Sequence, residues 1–318
     1  MADRRTQVRV GNRTLSISNL DKVLWPRDGY TKRDLIAYYH AVAPFALPYL
    51  RDRPLTLERF PNGIGASSFF EKNAPQGMPA WIRSVTLDSS GGRHERIRYV
   101  LCNDAPALVY LANLAAIVLH IWTSRVRSLD EPDFILFDLD PGETCTLATL
   151  ARVTLALRDA LTEIGFVPLV KTSGGMGLHV VVPLHPGHTY DQAKVFAELV
   201  ARRIAGICGD DVTLQRTIAK RRQAAVYMDY VQVGRGKTLV APYSVRARDR
   251  APVSWPLLWS EVEAFRRART PVPADAFAKY TIRTAPKALE REGDRWSGRS
   301  WKRAKLATVV ERVRTLWR

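Results

Sequence analysis

The sequence has few cysteines and no long apolar run. Its three cysteines, Cys102, Cys145 and Cys208, show neither paired nor metal-ligand spacing, which argues against a disulfide framework and favours a reducing compartment. No apolar run reaches the roughly 20 residues of a membrane helix. The first residues are polar and lack the apolar core of a signal peptide. We therefore expect a cytoplasmic protein with no membrane partner.

Acidic residues are scarce relative to basic ones. The chain has 31 Asp and Glu against 48 Lys and Arg, a net charge of +17. A field of that sign attracts polyanions, chiefly nucleic acid, although a merely basic soluble protein is also possible on charge alone. With 46% hydrophobic residues in 318, the chain can bury a full core and is not a disordered protein.

Hydrophobic periodicity predicts a mixed α/β protein. In the first part we expect a hairpin over residues 7–10 and 14–17, a helix from Thr31 to about residue 49, and a mostly buried helix over residues 107–120. In the second part we expect strands at 134–140, 166–170, 178–182, 226–231 and 239–242, and helices at 147–164, 191–207 and 302–316, the last in a basic segment with Trp296, Trp301 and Trp317. These elements suggest one domain over residues 1–318, with parts at 1–130, 131–250 and 251–318.

Two aspartates end the first strand of the second part. Asp138 and Asp140 are two residues apart, so both side chains leave the same face of the strand. Adjacent carboxylates repel each other, and a divalent cation relieves the repulsion. Asp229 is a third carboxylate on a predicted strand. Three carboxylates around hard cations are what two-metal phosphoryl transfer requires, whereas two solvent-facing aspartates would be the plainer interpretation.

A glycine-rich turn follows the next strand. Three glycines within the five residues from Ser173 to Gly177 allow close backbone approach to a phosphate, and His179 adds a donor beside the turn. Arg246 follows a predicted strand, where its guanidinium could bind a triphosphate bidentately. Each feature alone also fits an ordinary hairpin, a core histidine or a solvated arginine. The combination indicates metal and polyphosphate.

The combined motifs resemble the polymerase domain of bacterial ATP-dependent DNA ligase D, in the archaeo-eukaryotic primase superfamily. The similarity extends over nearly the whole chain and includes Asp21 to Pro26, Thr31 with Lys32, Arg59 to Gly63, Phe69 to Lys72, Leu119 to Trp122, Phe137 to Glu143, Lys171 to Gly175, Gly177 to His179, Asp229 with Tyr230, and Ala241 to Arg246. The resemblance implies an α/β (α+β) fold with a primase-type catalytic core and mixed sheet, an N-terminal DNA-binding subdomain packed against it, and a basic C-terminal helical extension.

The resemblance also implies an activity and partners. It implies a bacterial, nucleoid-associated polymerase that adds preferentially ribonucleotides to DNA ends and 5′-phosphorylated gaps, with two Mn²⁺ or Mg²⁺ ions. Non-homologous end joining, with Ku and a DNA ligase, would be its pathway. The implied metal ligands and catalytic residues are Asp138, Asp140 and Asp229. The implied nucleotide-binding residues are His120, Lys171, Ser173, Gly174, Gly175, Gly177, His179, Gln232, Lys237 and Arg246. The implied DNA-binding residues are Lys22 and Lys32 for the 5′-phosphate, Arg59, and the stacking aromatics Phe69 and Phe70.

Five positions depart from the family pattern. The family usually has Lys at Met176, so one triphosphate contact is missing here. It also favours a Gly-Lys pair near Ala224 and Ala225, an Asn at Val233 and a Glu at Val118. Because the three aspartates are present, we expect activity with weaker nucleotide affinity.

Two other functions remain open on the sequence. One is a DNA-end-binding protein whose polymerase activity has decayed, in keeping with Met176 and the Ala224–Ala225 pair. The other is an Asp-x-Asp phosphatase built on Asp138 and Asp140, which leaves His179 and the N-terminal lysines unexplained.

Overall fold

The computed structural model describes residues 5–88, 96–297, 303–306, 312–313 and 317. The strands are β1 (Arg5–Val10), β2 (Arg13–Ser18), β3 (Val23–Trp25), β4 (Tyr30–Thr31), β5 (Leu55–Arg59), β6 (Phe69–Glu71), β7 (Ser84–Asp88), β8 (Arg96–Val100), β9 (Ala116–Trp122), β10 (Phe134–Pro141), β11 (Leu169–Thr172), β12 (Leu178–Pro183), β13 (Val212–Thr213), β14 (Val226–Asp229), β15 (Thr238–Val240) and β16 (Pro256–Leu257). The α-helices are α1 (Lys32–Leu50), α2 (Ala105–Asn113), α3 (Leu147–Glu163), α4 (Tyr190–Cys208), α5 (Trp259–Ala264) and α6 (Ala285–Glu292). The mixed α/β class expected from the sequence is confirmed.

The chain forms two compact units, each assembled from separate stretches. Unit 1 comprises residues 1–127, 238–254 and 278–293, and unit 2 comprises residues 128–237, 255–277 and 294–318. The division at 1–130, 131–250 and 251–318 by function stays a prediction. No helix among the described residues is both long enough and apolar enough to span a membrane.

Unit 1 contains a five-stranded sheet in the order β15-β9-β5-β8-β7, with β6 paired to β5. The predicted N-terminal hairpin is present as β1 and β2, and the predicted first helix as α1, which begins after Thr31. In the capping box of α1, the Thr31 backbone N–H donates to the Asp34 carboxylate at 2.8 Å. Helices α1 and α2 pack against each other in this unit.

The helix predicted over residues 107–120 is wrong beyond Asn113. Helix α2 ends there, Ala115 turns the chain with a φ of +55°, and residues from Ala116 onward form β9. Strand β9 lies between β15 and β5 and is buried on both faces. A continuous apolar run is compatible with a buried helix or a buried strand, so periodicity could not separate the two.

Unit 2 contains a six-stranded mixed sheet in the order β13-β14-β10-β12-β11-β16. All pairs are antiparallel except β13 with β14. Strand β10 is central and almost entirely buried until Asp138. Helices α3 and α4 pack on each other and contact β10. Thr146 caps α3 and Thr189 caps α4, each accepting from a backbone N–H three residues later.

Two strand predictions need correction in this part of the chain. The strand expected at 166–170 begins at Leu169, because Phe166 still closes α3 through its N–H to the Leu161 carbonyl and Pro168 has no N–H to donate. The strand expected at 239–242 is β15, but it pairs with β9 in unit 1. The helix predicted over 302–316 falls largely outside the described residues, and Trp301, which precedes it, falls wholly outside them.

Candidate active site

A row of four functional side chains crosses the unit 2 sheet. Asp229 on β14 is directly opposite Asp138 on β10, Asp138 is opposite His179 on β12, and His179 is opposite Lys171 on β11. Directly opposed residues of antiparallel strands project from the same face, with Cβ atoms about 4.5–5.5 Å apart. Four residues that are up to 91 positions apart in the sequence are therefore neighbours on one face.

The carboxylates of Asp138 and Asp229 repel each other, and the neighbouring His179 partly offsets this repulsion. Like charges directly opposite on a sheet are destabilising. On the other side of Asp138, His179 places Nε2 3.2 Å from the Asp138 carboxylate, and His179 is buried. Asp140 is exposed and lies two residues further along the same face. Three carboxylates thus share one end of β10 and β14.

The third aspartate is held by its own loop. Both carboxylate oxygens of Asp229 accept hydrogen bonds at 2.9 Å, one from the Val231 N–H and one from the Gln232 amide. Lys237 closes this loop by donating to the Val231 carbonyl at 2.5 Å. Burial lowers the pKa of Lys237, while the nearby Asp229 charge acts in the opposite direction. Gln232 therefore contacts the Asp229 carboxylate and Lys237 its loop, while the nucleotide-binding role predicted for both stays a prediction.

The three carboxylates of Asp138, Asp140 and Asp229 are chemically suited to a hard divalent cation, and the strand register makes them neighbours. Carboxylate oxygens are the ligands that Mg²⁺ and Mn²⁺ prefer. In the part of the chain that the structure describes, however, no group of three or more His, Cys, Asp or Glu side chains is arranged to hold a metal ion. The Asp229 oxygens are instead directed to Val231 and Gln232.

The glycine turn closes the hairpin between β11 and β12. The Ser173 N–H donates to the Gly177 carbonyl at 3.0 Å, and the Gly175 N–H donates to the Ser173 hydroxyl at 3.0 Å. Gly174 has a φ of +77°, a conformation that favours glycine. A Cβ atom on Gly177 would lie 2.6 Å from the Leu139 carbonyl oxygen and 3.1 Å from an Asp140 oxygen. The turn is therefore seated directly against the aspartate strand, and only glycine allows that approach.

His120 and Arg246, the two other nucleotide-binding candidates, belong to unit 1. His120 lies on β9, with its Nε2 3.5 Å from the Glu58 carboxylate and its ring centroid 5.5 Å from that of Phe70. Arg246 follows β15, and its backbone N–H donates to the Pro252 carbonyl at 2.8 Å.

The DNA-binding candidates are also in unit 1, in different surroundings. Phe69 and Phe70 are exposed, and the Arg59 guanidinium lies 5.3 Å from the Phe69 ring centroid. Lys22 is exposed and donates to the Asn62 side chain at 2.8 Å. Phe69 and Phe70 therefore present aromatic rings to solvent and Lys22 presents a cation, whereas the Arg59 guanidinium is partly buried and ion-paired with Glu71 at 2.9 Å.

Lys32 is not exposed in the way a surface phosphate contact would suggest. Its side chain is buried, and its ammonium donates to the Ser18 hydroxyl at 3.2 Å and to the Asn113 backbone and side-chain oxygens at 3.0 and 3.1 Å. An ammonium has three N–H groups, so these bonds use its donor capacity. The 5′-phosphate role of Lys32 stays a prediction, and in this structure Lys32 joins β2 to the end of α2.

Sequence reasoning missed two residues beside the predicted ones. Tyr227 is directly opposite Asp140, and the Arg221 guanidinium lies 3.5 Å from the Tyr227 ring centroid. Glu58, the carboxylate near His120, was also missed. Both lie near site residues through cross-strand pairing, which the sequence does not reveal. Tyr227 was on a predicted strand, whereas no strand was predicted at Glu58.

Comparison with known proteins identifies the class. The family model for the LigD primase-polymerase domain matches residues 31–296. That match covers both sheets, the aspartate row and the glycine turn. The chain therefore belongs to the LigD primase-polymerase domain family.

Particular relatives agree with this assignment. The multifunctional non-homologous end joining DNA repair protein LigD of Mycobacterium tuberculosis is 35% identical over 259 residues, 78% of this chain and 33% of that protein. The bifunctional LigD of Bacillus subtilis is 31% identical over 280 residues, 88% of this chain and 43% of that protein. The polymerase domain of M. tuberculosis ligase D, solved in complex with DNA, is similar with a TM-score of 0.79 and 31% identity, covering 89% of this chain and 96% of that domain. This chain spans about a third to two-fifths of the two full-length relatives.

Proposed function

We propose that this protein is a template-directed polymerase that fills gaps and extends DNA ends, with a preference for ribonucleotides. The observation that carries the proposal is the register of Asp138 opposite Asp229, with Asp140 beside them and the glycine turn seated against Leu139. Family membership and similarity to a polymerase domain solved with DNA support it. The proposed reaction is attack of a primer 3′-hydroxyl on the nucleotide α-phosphate, with release of pyrophosphate.

Asp138, Asp140 and Asp229 would hold two divalent ions, Mn²⁺ or Mg²⁺. When bound, such ions supply charge neutralisation at the transferring phosphate and activation of the attacking hydroxyl. Asp229 would exchange its Gln232 contact for this role. His179, fixed beside Asp138, would orient that carboxylate and donate toward the nucleotide phosphates. The Ser173–Gly177 turn would contribute backbone N–H groups to the same phosphates. For Arg246, in unit 1, the proposed role is bidentate triphosphate binding.

The DNA partner would be a gap or a double-strand end with a 5′-phosphate. Lys22 is the exposed candidate for that phosphate, and Phe69 and Phe70 would stack on template bases without sequence preference. Ku and a DNA ligase are the proposed partners in end joining, with the bacterial nucleoid as the place of action. These assignments rest on the LigD family.

Primer extension on a short gapped duplex with a 5′-phosphate, in Mn²⁺, tests the proposal. We expect incorporation that is stronger with NTPs than with dNTPs. Asp138→Asn should reduce extension to background while gap binding stays near the wild-type value, because the change removes one negative ligand and keeps the side-chain shape. Asp191→Asn, an equal charge change in the first turn of α4, serves as the matched control and should extend normally.

The outcomes separate the alternatives. Normal extension by Asp138→Asn would refute the metal-ligand assignment. Tight gap binding by the wild-type protein without incorporation would favour the decayed, end-binding function.

A further inference from the structure

We infer that Tyr39 and Ser244 are positioning residues that fix the segment carrying Arg246 to the strand carrying His120. The inference rests on the proposed function, because it gives these two buried hydroxyls a role in nucleotide binding. All of the groups involved lie in unit 1. Tyr39 and Ser244 are not themselves proposed as nucleotide ligands.

The first observation is that β9 loses its backbone partner part-way along one edge. Strand β15 pairs with β9 from Trp122 to His120 and ends at Val240, after which the Ala241 N–H donates to the Leu119 carbonyl at 3.0 Å. Earlier residues of β9 therefore present buried N–H and C=O groups that β15 does not reach. Buried backbone groups of this kind require partners.

Side chains supply those partners. The Leu119 N–H donates to the Ser244 hydroxyl at 2.8 Å, and the Tyr39 hydroxyl donates to the Ile117 carbonyl at 2.7 Å. The Tyr39 oxygen also accepts the Val245 N–H at 3.1 Å. Tyr39 and Ser244 thus continue the hydrogen bonding of β9 where β15 has ended, and we call this pair the Tyr39–Ser244 bridge.

The bridge connects the two proposed nucleotide-binding positions of unit 1. Leu119 immediately precedes His120, and Val245 immediately precedes Arg246. Tyr39 and Ser244 are each about 1% exposed, so water does not compete for these bonds. Burial raises the pKa of Tyr39 well above its ordinary value, opposed by its hydrogen bonds to Ser244 and Val245, so the hydroxyl stays protonated and keeps its donor.

The bridged segment is also held in a strained conformation. Tyr243 has a φ of +65°, which a bulky residue rarely adopts, and it is fully buried. Tyr38 donates its hydroxyl to the Tyr243 carbonyl at 2.7 Å, and the Tyr243 N–H donates to Ser254. Strain of this kind persists where the surroundings over-determine the backbone, and it commonly marks functional segments. Of these buried bonds, those of Tyr39 and Ser244 reach β9 and adjoin Arg246, whereas the Tyr38 bond reaches Tyr243, three residues before Arg246.

The test compares Tyr39→Phe, Arg246→Ala and the double variant in the full chain. The probes are ATP binding by calorimetry with Mn²⁺ and steady-state primer extension. Tyr39→Phe should weaken ATP binding and raise the KM for nucleotide about five- to tenfold, with kcat changed less than twofold. When Arg246 is already alanine, Tyr39→Phe should change the ATP affinity and the KM for nucleotide less than twofold, because Tyr39 acts through the arginine.

Two further variants complete the design. Tyr38→Phe is the matched control: it removes a buried hydroxyl of the same helix that bonds the same loop but does not reach β9, and it should change KM less than twofold. Ser244→Ala breaks the bridge at a second point and should reproduce the KM increase, which keeps the inference testable if Tyr39→Phe does not fold.

Each contrary result is distinct. Wild-type ATP affinity in folded Tyr39→Phe or Ser244→Ala, with weakened affinity in Arg246→Ala, would overturn the inference and leave the proposed function standing. Effects of Tyr39→Phe and Arg246→Ala that multiply would also overturn it, by showing a general structural loss. Absence of ATP binding by the wild-type protein would overturn the proposed function, and the inference with it.

Discussion

Asp138 has Asp229 on one side and His179 on the other, and this alternation determines what the row can do. An acidic pair on neighbouring strands is unfavourable by itself, so it implies a compensating charge. His179 places Nε2 3.2 Å from the Asp138 carboxylate, while the Asp229 carboxylate accepts from the Val231 N–H and the Gln232 amide. The carboxylates of Asp138 and Asp229 therefore lie side by side at the end of β10 and β14, and the glycine turn is seated beside them.

Met176 is the residue of the glycine turn at which a substitution should strengthen nucleotide binding. It is half-buried at the centre of the Ser173–Gly177 turn, where the family usually has Lys. Met176→Lys should lower the apparent KM for nucleotide about tenfold or more, because a charge-assisted hydrogen bond contributes about 1.5–3 kcal/mol. Steady-state primer extension measures this. Met176→Leu keeps the apolar side chain and should leave KM unchanged; an equal KM in all three proteins would contradict a phosphate contact at this position.

Residue types were readable from the sequence, but partners across strands were not. Asp138, Asp140 and the glycine turn could be predicted because each is a local pattern. The opposition of Asp229 to Asp138, 91 residues apart, depends on strand register, which is set by the folded sheet. Lys32 shows the reverse case, since its type suggested a phosphate ligand and its burial against Asn113 could not be seen.

Among the secondary-structure elements, the β11–β12 hairpin holds the glycine turn of the candidate site. Its turn lies so close to β10 that a Cβ atom on Gly177 would meet the Leu139 carbonyl. Local signals predicted α1, α3 and α4, whose Thr caps and apolar spacing agree with the structure. Strand β9 was predicted as a helix, because an apolar run buried on both faces has no periodicity that distinguishes the two. Its neighbours β5 and β15 come from distant parts of the chain, so tertiary pairing determined its conformation.

Gly177→Ala tests how closely the hairpin must lie against β10. The added Cβ would meet the Leu139 carbonyl at 2.6 Å, and a backbone atom cannot move aside without separating β12 from β10. We expect a loss of about 1–3 kcal/mol in the free energy of unfolding and a larger fractional loss of polymerase activity. Urea denaturation and primer extension measure the two.

The control for this change is another glycine with free space. Gly206 lies inside α4, and a Cβ there would meet nothing within 4 Å. Gly206→Ala should stabilise the protein by about 0.5–1 kcal/mol and leave activity unchanged, because alanine is favoured in a helix interior. Equal stability of Gly177→Ala and the wild type would show that the β11–β12 hairpin need not lie so close to β10.

At the scale of the whole molecule, charge dominates the expected encounter with DNA. The net charge of +17 attracts the phosphate backbone irrespective of sequence. That contribution depends on released counterions and therefore on salt. Discrimination for a 5′-phosphorylated gap must come instead from individual groups such as Lys22.

Binding to a gapped duplex should therefore weaken steeply with salt. Three phosphate contacts predict about a 40-fold loss in affinity between 50 and 200 mM salt, measured by fluorescence anisotropy. Lys22→Ala should reduce the slope by about one and erase the preference for a 5′-phosphate. Lys287→Ala on α6 removes the same charge and should keep the preference. A preference retained in Lys22→Ala would place the phosphate pocket elsewhere.

The division of the chain between its two units has a consequence for how the protein is made. Unit 1 needs residues 238–254 to provide β15 and residues 278–293 to provide α6, yet most of unit 2 lies between those stretches and its N-terminal part. A ribosome releases the chain from its N-terminus onward. The β15 edge of β9 therefore stays uncovered until residues 238–240 have emerged, so unit 1 cannot be completed before residues 128–237 of unit 2 have been made.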